Sequence, residues 1–214
     1  MLDIKVFEQF IKKANIAHQQ LCLWFSMNNE FAKHQARWNQ LEPGVGLFTL
    51  EAFTRKHGCK YKIFFCVIVP TLNQGWILST ARLFDPAYHS RDIKKEKPRI
   101  SLDYVLGQLS DQALAHSTRL QKVAHDPVIK SLREHRDNTL AHNDATFTTT
   151  QIEAGVEKLF NWLENIIAQI KVSEPRLKNC GIINVTYNEK LAQCGVDEVF
   201  ENLLLAEKVS DPCA

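Results

Sequence analysis

This sequence has little excess charge of either sign and few residues that interrupt regular structure. Against 24 Asp and Glu stand 26 Lys and Arg, a formal charge of +2. That excludes a global nucleic-acid-binding field and confines any RNA contact to a local patch. Glycine (8) and proline (7) are sparse, and no low-complexity stretch or internal repeat is present. Gly44 and Gly46 lack the strand and lysine context of a phosphate loop. The six cysteines, Cys22, Cys59, Cys66, Cys180, Cys194 and Cys213, include no CxxC pair, so no zinc-ligand pattern is indicated. No secretory signal is read ahead of them, and the expectation is reduced thiols in a cytoplasmic protein. Cys59 and Cys66, two helical turns apart, read as packing residues. The apolar tract between 61 and 84 is broken by Asn73, Gln74 and Arg82, which argues against a membrane span.

What is present is helical rhythm. At 45% hydrophobic and 23% charged, the 214 residues suit a globular domain able to bury a sizeable core. Phe7, Phe10, Ile11, Ala14, Ala17, Leu21 and Trp24 predict a long opening helix from Asp3 to about Asn39, interrupted near Asn28 and Asn29, with a break at 41–46. The run Ile63–Val69 reads locally as a strand. Because Leu72, Trp76, Ile77, Thr80, Ala81, Leu83 and Phe84 continue a helical rhythm, a helix kinked at Pro70 and ended by Asp85-Pro86 is preferred.

Residues 91–99 read as charged and solvated, after which Ser101 and Asp103 offer N-cap chemistry for a short helix through Leu109. A helix over 110–123 follows, and Pro127 suits the first turn of the next. The cleanest repeat is Ile152, Val156, Leu159, Phe160, Leu163, Ile166, Ile167 and Ile170, an amphipathic helix stopped by Ser173-Glu174-Pro175. Residues 182–187 are β-branched and read as a short strand or extended arm, and 196–208 as a final helix. The expected class is all-α.

Chemistry concentrates in 131–144, Ser-Leu-Arg-Glu-His-Arg-Asp-Asn-Thr-Leu-Ala-His-Asn-Asp. On a helical wheel Val128, Leu132, His135, Arg136, Thr139 and His142 fall within an arc of about 120°, the width of a core-facing stripe. An Arg on that face needs a partner, because a guanidinium left alone in a dry interior costs several kcal/mol. The partner is an acidic residue, a second subunit or a bound anion. The plainer reading is structural, with Arg136 paired to a carboxylate and the histidines hydrogen-bonded within the helix. Arg133 with Asp137, and Glu134 with Asn138, four residues apart, read as ordinary surface pairs.

Arg136, Asp137, four further residues and His142 resemble the motif of the HEPN superfamily, and the longer phrase Leu132–Asp144 resembles its AbiU-type branch, associated with abortive infection. A second phrase strengthens the likeness: Ala81-Arg82-Leu83-Phe84-Asp85, a polar loop and a Ser-Leu-x-x-x-Leu helix precede the Arg and His phrase in the order and spacing of that branch. The likeness covers most of residues 1–173. It implies a HEPN-like helical bundle with long N-terminal helices over 1–173, and a C-terminal extension over 174–214 to which no role is assigned.

The resemblance further implies a metal-independent endoribonuclease, a toxin or phage-defence effector, working without a cofactor as a homodimer joined through the motif helices, with RNA as substrate and an antitoxin as a further partner. His suits the proton steps of such cleavage because it titrates near neutrality. Arg suits the phosphate because its fork stays charged and can hold two oxygens. By resemblance Arg136 stabilises the scissile phosphate, His142 transfers protons and Asp137 tunes or orients the pair. His135, Asn138, Asp144, Arg82 and Asp85 are supporting candidates.

Six positions separate Arg136 from His142, so on one straight helix they flank the stripe; a second subunit, or a helix ending before His142, would bring them together. The adenylylation-controlled branch of these toxins has Tyr two residues after the motif His, where this chain has Asp144. The alternative is a non-catalytic HEPN dimerisation or nucleotide-binding module. A helical metal enzyme built on His135, His142 and Asp144 ranks lowest, because the chain supplies few ligands at suitable spacing.

Overall fold

The computed structural model describes residues 1–41, 69–88, 98–137 and 150–210. Described segments form helices α1 (Ile4–Leu41), α2 (Val69–Leu83), α3 (Leu102–Gln108), α4 (Gln112–Lys122), α5 (Asp126–His135), α6 (Thr150–Ser173) and α7 (Val185–Ser210), with short 3-10 turns at Val123–His125 and Pro175–Leu177. The fold is all-α. Among the described residues no helix is long and apolar enough to cross a membrane.

Two compact units divide the chain, one from Met1–His18 with Trp76–Val185, the other from Gln19–Gly75 with Thr186–Ala214. The first is built on α6. All eight residues of its apolar repeat are buried, from Ile152 to Ile170. Phe7, Phe10, Ile11 and Ala14 of α1, Trp76 and Ile77 of α2, and Leu102, Val105 and Leu106 of α3 complete this unit's core. The short α3 is capped by Ser101, whose Oγ accepts from the Tyr104 amide, and α4 by Asp111, whose Oδ1 accepts from the Leu114 amide at 2.9 Å. Pro127 sits in the first turn of α5, where its missing N–H costs nothing. Residues 174–185 belong to this unit as well. The buried Glu174 accepts from the Ser110 amide at 2.8 Å and from Arg176 at 2.9 and 2.8 Å. Burial pushes its carboxyl up, but those hydrogen bonds and the Arg176 charge outweigh it and leave it below the ordinary value.

In the second unit Leu21, Cys22 and Met27 of α1 are buried, as are Ala192, Val196 and Phe200 of α7. Polar bridges join the same two helices, Gln19 Nε2 to Asn188 Oδ1 at 3.3 Å and Gln193 Nε2 to Glu30 Oε1 at 3.5 Å.

Two expectations change. Helix α1 runs through Asn28 and Asn29 without interruption, because Asn costs a helix only about 0.7 kcal/mol per residue, which packing overrides. Val185, Thr186 and Tyr187 open α7 rather than form a strand, so the final helix starts eleven residues before Val196. Local β-branched preference yields to burial of Val185 and Asn188, and Gly195 is tolerated within the helix. Residues 181–184, just before, have no regular secondary structure, and Ile182 O accepts from Asn15 Nδ2 at 2.8 Å. Pro70 lies in the first described turn of α2, and the expected helix is present across 69–83. The expected break at 42–46, the run 63–68, the solvated segment 91–97 and the Thr-rich turn at 146–149 lie outside the described residues.

Helices α5 and α6 meet at Gly155, where an added Cβ would clash with Val128 Cγ2. A β-branched neighbour cannot swing aside. Gly155→Ala is therefore expected to lower stability by about 1–3 kcal/mol in urea denaturation, and Val128→Ala in that background to recover most of the loss.

His18 is buried against the Phe160 ring, centroids 4.7 Å apart, and burial pushes its pKa from 6.5 to about 4. Below pH 6.5 the unfolded chain binds a proton that the folded chain refuses until about pH 4. The stability present above 6.5 is therefore lost as pH falls through that window, on the order of 3 kcal/mol. His18→Leu should flatten the stability profile between pH 6.5 and 4, and an unchanged slope would assign the acid sensitivity elsewhere.

Candidate functional site

Helix α2 ends at Leu83, and the turn that follows presents Asp85 to the interior. Phe84 anchors this turn: it is buried, and its ring stacks with Trp162 of α6 at 6.5 Å. Trp162 is itself fixed by a hydrogen bond to Gln121 Oε1 at 3.2 Å and by the His125 ring at 4.8 Å. Two hydrogen bonds tie the returning chain to the same turn, Ala87 N to Asp103 Oδ2 at 3.2 Å and Arg99 N to Ala87 O at 2.8 Å. Asp103 thus braces a loop besides supplying negative charge to the first turn of α3.

Asp85 is where three guanidinium groups converge. Arg136 Nη1 donates to both of its oxygens at 2.9 Å. Arg133 Nε lies 3.6 Å from Oδ1 and Arg99 Nη1 3.6 Å from Oδ2. Arg133 also donates from Nη2 to the Phe84 carbonyl, while its buried Nε has no hydrogen-bond partner among the described residues. With its side chain only 5% exposed, one carboxylate serves as counter-ion to three cations.

Arg136 donates from Nε to Asp137 Oδ1 at 2.8 Å. The Asp137 hydrogen bond, with Asp85, raises the Arg136 pKa against the opposing effect of burial, so the group is charged throughout the accessible pH range. Nη2 has no hydrogen-bond partner among the described residues. The Arg136 side chain is 19% exposed and that of Asp137 64%.

These residues line a cleft of about 620 Å³. Lys13 of α1, Arg82 of α2, Arg99 and Arg136 face it, opposed by Asp85 and Asp137, so four cations meet two carboxylates. The volume lies in the range of about 300–1,000 Å³ typical of small-molecule sites. Its surplus of positive charge suits an anion.

The structure thus brings Arg136, Asp137, Arg82 and Asp85 together. It puts His135 elsewhere: this residue is buried beside Leu132 and Ile129, outside the lining of the cleft, and burial lowers its pKa so that it stays neutral at physiological pH. Ile129, rather than the half-buried Val128, leads the inward face of α5. The regular helix closes at His135, and Arg136 and Asp137 lie in a wider π-type turn. Asn138, His142 and Asp144 lie outside the described residues. Among the described residues no group of three or more His, Cys, Asp or Glu is placed to hold a metal.

Three members of the site were not singled out by sequence. Arg133 reads as the surface partner of Asp137, yet it is committed to Asp85 and Phe84. Its signal was its place one helical turn before Arg136, on the same side of the helix. Arg99 closes a segment read as merely solvated, and Lys13 carries no local signal at all.

No family model, curated protein or solved structure matches the chain.

Asp85→Asn leaves three guanidinium groups without their shared charge. For fully buried pairs such a loss reaches about 3–5 kcal/mol; because the arginines are partly exposed, about 2–3 kcal/mol is expected here in chemical denaturation. Sulfate should restore part of the loss in the Asp85→Asn variant more than in wild type, since an anion in the adjoining cleft can offset the charge of the arginines that Asp85 no longer balances. Equal responses to sulfate would show that the arginines do not depend on Asp85 for charge balance.

Proposed function

We propose that the protein is a metal-independent endoribonuclease of the HEPN type, acting as a homodimer joined through its motif helices, in phage defence or a toxin system with an antitoxin partner. The observation that carries this reading is the position of Arg136: gripped by Asp85 on one side and lining a cleft with surplus positive charge on the other. Such a guanidinium is oriented before a phosphate arrives, so little reorganisation is needed as charge grows on the phosphoryl oxygens.

In the proposed reaction the ribose 2′-oxygen forms a bond to the adjacent phosphorus as the bond from phosphorus to the 5′-oxygen breaks. One proton leaves the 2′-hydroxyl and one reaches the 5′-oxygen, giving a cyclic phosphate and a free 5′-hydroxyl. Arg136 holds the non-bridging oxygens, His142 moves protons, and Asp137 orients Arg136 through their 2.8 Å contact. A two-fold pairing of motif helices supplies a second imidazole, so that one takes a proton while the other gives one.

The alternative, a non-catalytic dimerisation or nucleotide-binding module, is favoured by a different observation: both sides of the Arg136 fork are engaged by carboxylates, the arrangement of a residue that fixes packing. One experiment separates the two. Purified protein incubated with total RNA in EDTA should cleave it, and His142→Ala and Arg136→Ala should each lower the rate by about 100-fold or more with His142→Ala melting close to wild type. Wild-type protein that leaves RNA intact, together with an Arg136→Ala variant that melts many degrees lower, would establish the structural role instead.

A further inference from the structure

We propose that the Lys13 and Arg82 side of the cleft is a second phosphate subsite, so that the site engages two phosphates of a single-stranded polynucleotide rather than one isolated anion. The inference rests on the ribonuclease reading for the identity of the polymer, and on the cleft for everything else. The four cations differ in how they are partnered. Arg136 and Arg99 share Asp85, and Arg136 also holds Asp137. Lys13 and Arg82 line the same cleft, are exposed, and have no carboxylate partner among the described residues. The carboxylates therefore offset charge on the Arg136 side, and the surplus lies with Lys13 and Arg82.

Arg82, in the last turn of α2, also complements the negative end of that helix. That role does not account for Lys13, which comes from a separate helix to face the same space. The volume points the same way, since about 620 Å³ exceeds what a single phosphate fills and is of the size that takes a nucleotide. Arg136 then marks the phosphate that reacts, and Lys13 with Arg82 hold a neighbouring one, fixing where along the strand the scissile bond lies.

The test is binding of a short fluorescein-labelled single-stranded DNA, which lacks the 2′-hydroxyl and is not cut, measured by anisotropy over a range of salt concentrations. Single-stranded phosphates each contribute about 0.7 to the slope of log affinity against log salt. A Lys13→Ala/Arg82→Ala double variant should bind about tenfold more weakly at low salt, with the slope reduced by about 0.7–1.4. Lys158→Ala/Lys178→Ala, which removes the same charge from exposed positions outside the cleft, should bind as wild type does. Equal losses in the two double variants, an unchanged slope, or no binding by wild type would each overturn the subsite. Because the probe is not cleaved, the outcome is separate from that of the RNA assay: binding that depends on Lys13 and Arg82 in a protein that leaves RNA intact retains the subsite and removes only the nuclease.

Discussion

The attraction between the Asp85 carboxylate and the guanidinium groups around it is the constraint on which the local structure depends. A carboxylate this deeply placed is tolerated only with its charge answered, and Asp85 is answered three times over. The three arginines come from two segments, α5 and the chain around Arg99, that meet at the end of α2. Arg133 and Arg136 bring α5 to the Phe84-Asp85 turn, and Arg99 brings back the chain that leaves it. The Phe84 ring against Trp162 supplies apolar burial for the same turn. Packing thus fixes where the turn lies, and charge fixes what gathers around it.

The helices were legible wherever a long apolar repeat governed them. In α6 every member of the repeat proved buried, because a helix that covers the middle of a core must present one uninterrupted stripe. Caps were legible too: Ser101 accepts from the amide three residues on, as its side chain and position predict. Legibility failed where local preference and tertiary burial disagreed. Val185-Thr186-Tyr187 carries β-branched side chains, yet Val185 and Asn188 are buried as the opening of a helix, a decision made by contacts remote in sequence.

The site was legible by half. A wheel places Arg136 beside the inward stripe and so demands a partner for it, and Asp85 stood among the supporting candidates. What no wheel gives is a pairing across 51 residues, or the arrival of Lys13 from the first helix in the same cleft. Such neighbours are set by the crossing of helices, which depends on the whole core. His135 shows a different limit of the wheel. The wheel places it on the inward stripe with Arg136, yet His135 is buried outside the lining of the cleft while Arg136 reaches it. A wheel gives the face of a side chain and not how far along it reaches.

That distinction bears on how Arg136 and His142 relate. On a straight helix six residues span about 600° of rotation, which leaves the two side chains on opposite margins of the stripe. The regular helix, however, closes at His135, and Arg136 and Asp137 lie in a wider turn. A wheel of regular helical spacing therefore describes α5 only as far as His135, and His142 lies outside the described residues. What does constrain the site is Arg136 itself, whose direction is set from behind by both oxygens of Asp85. One side of this guanidinium is taken by Asp85, and the cleft is the side on which it is open to a further group.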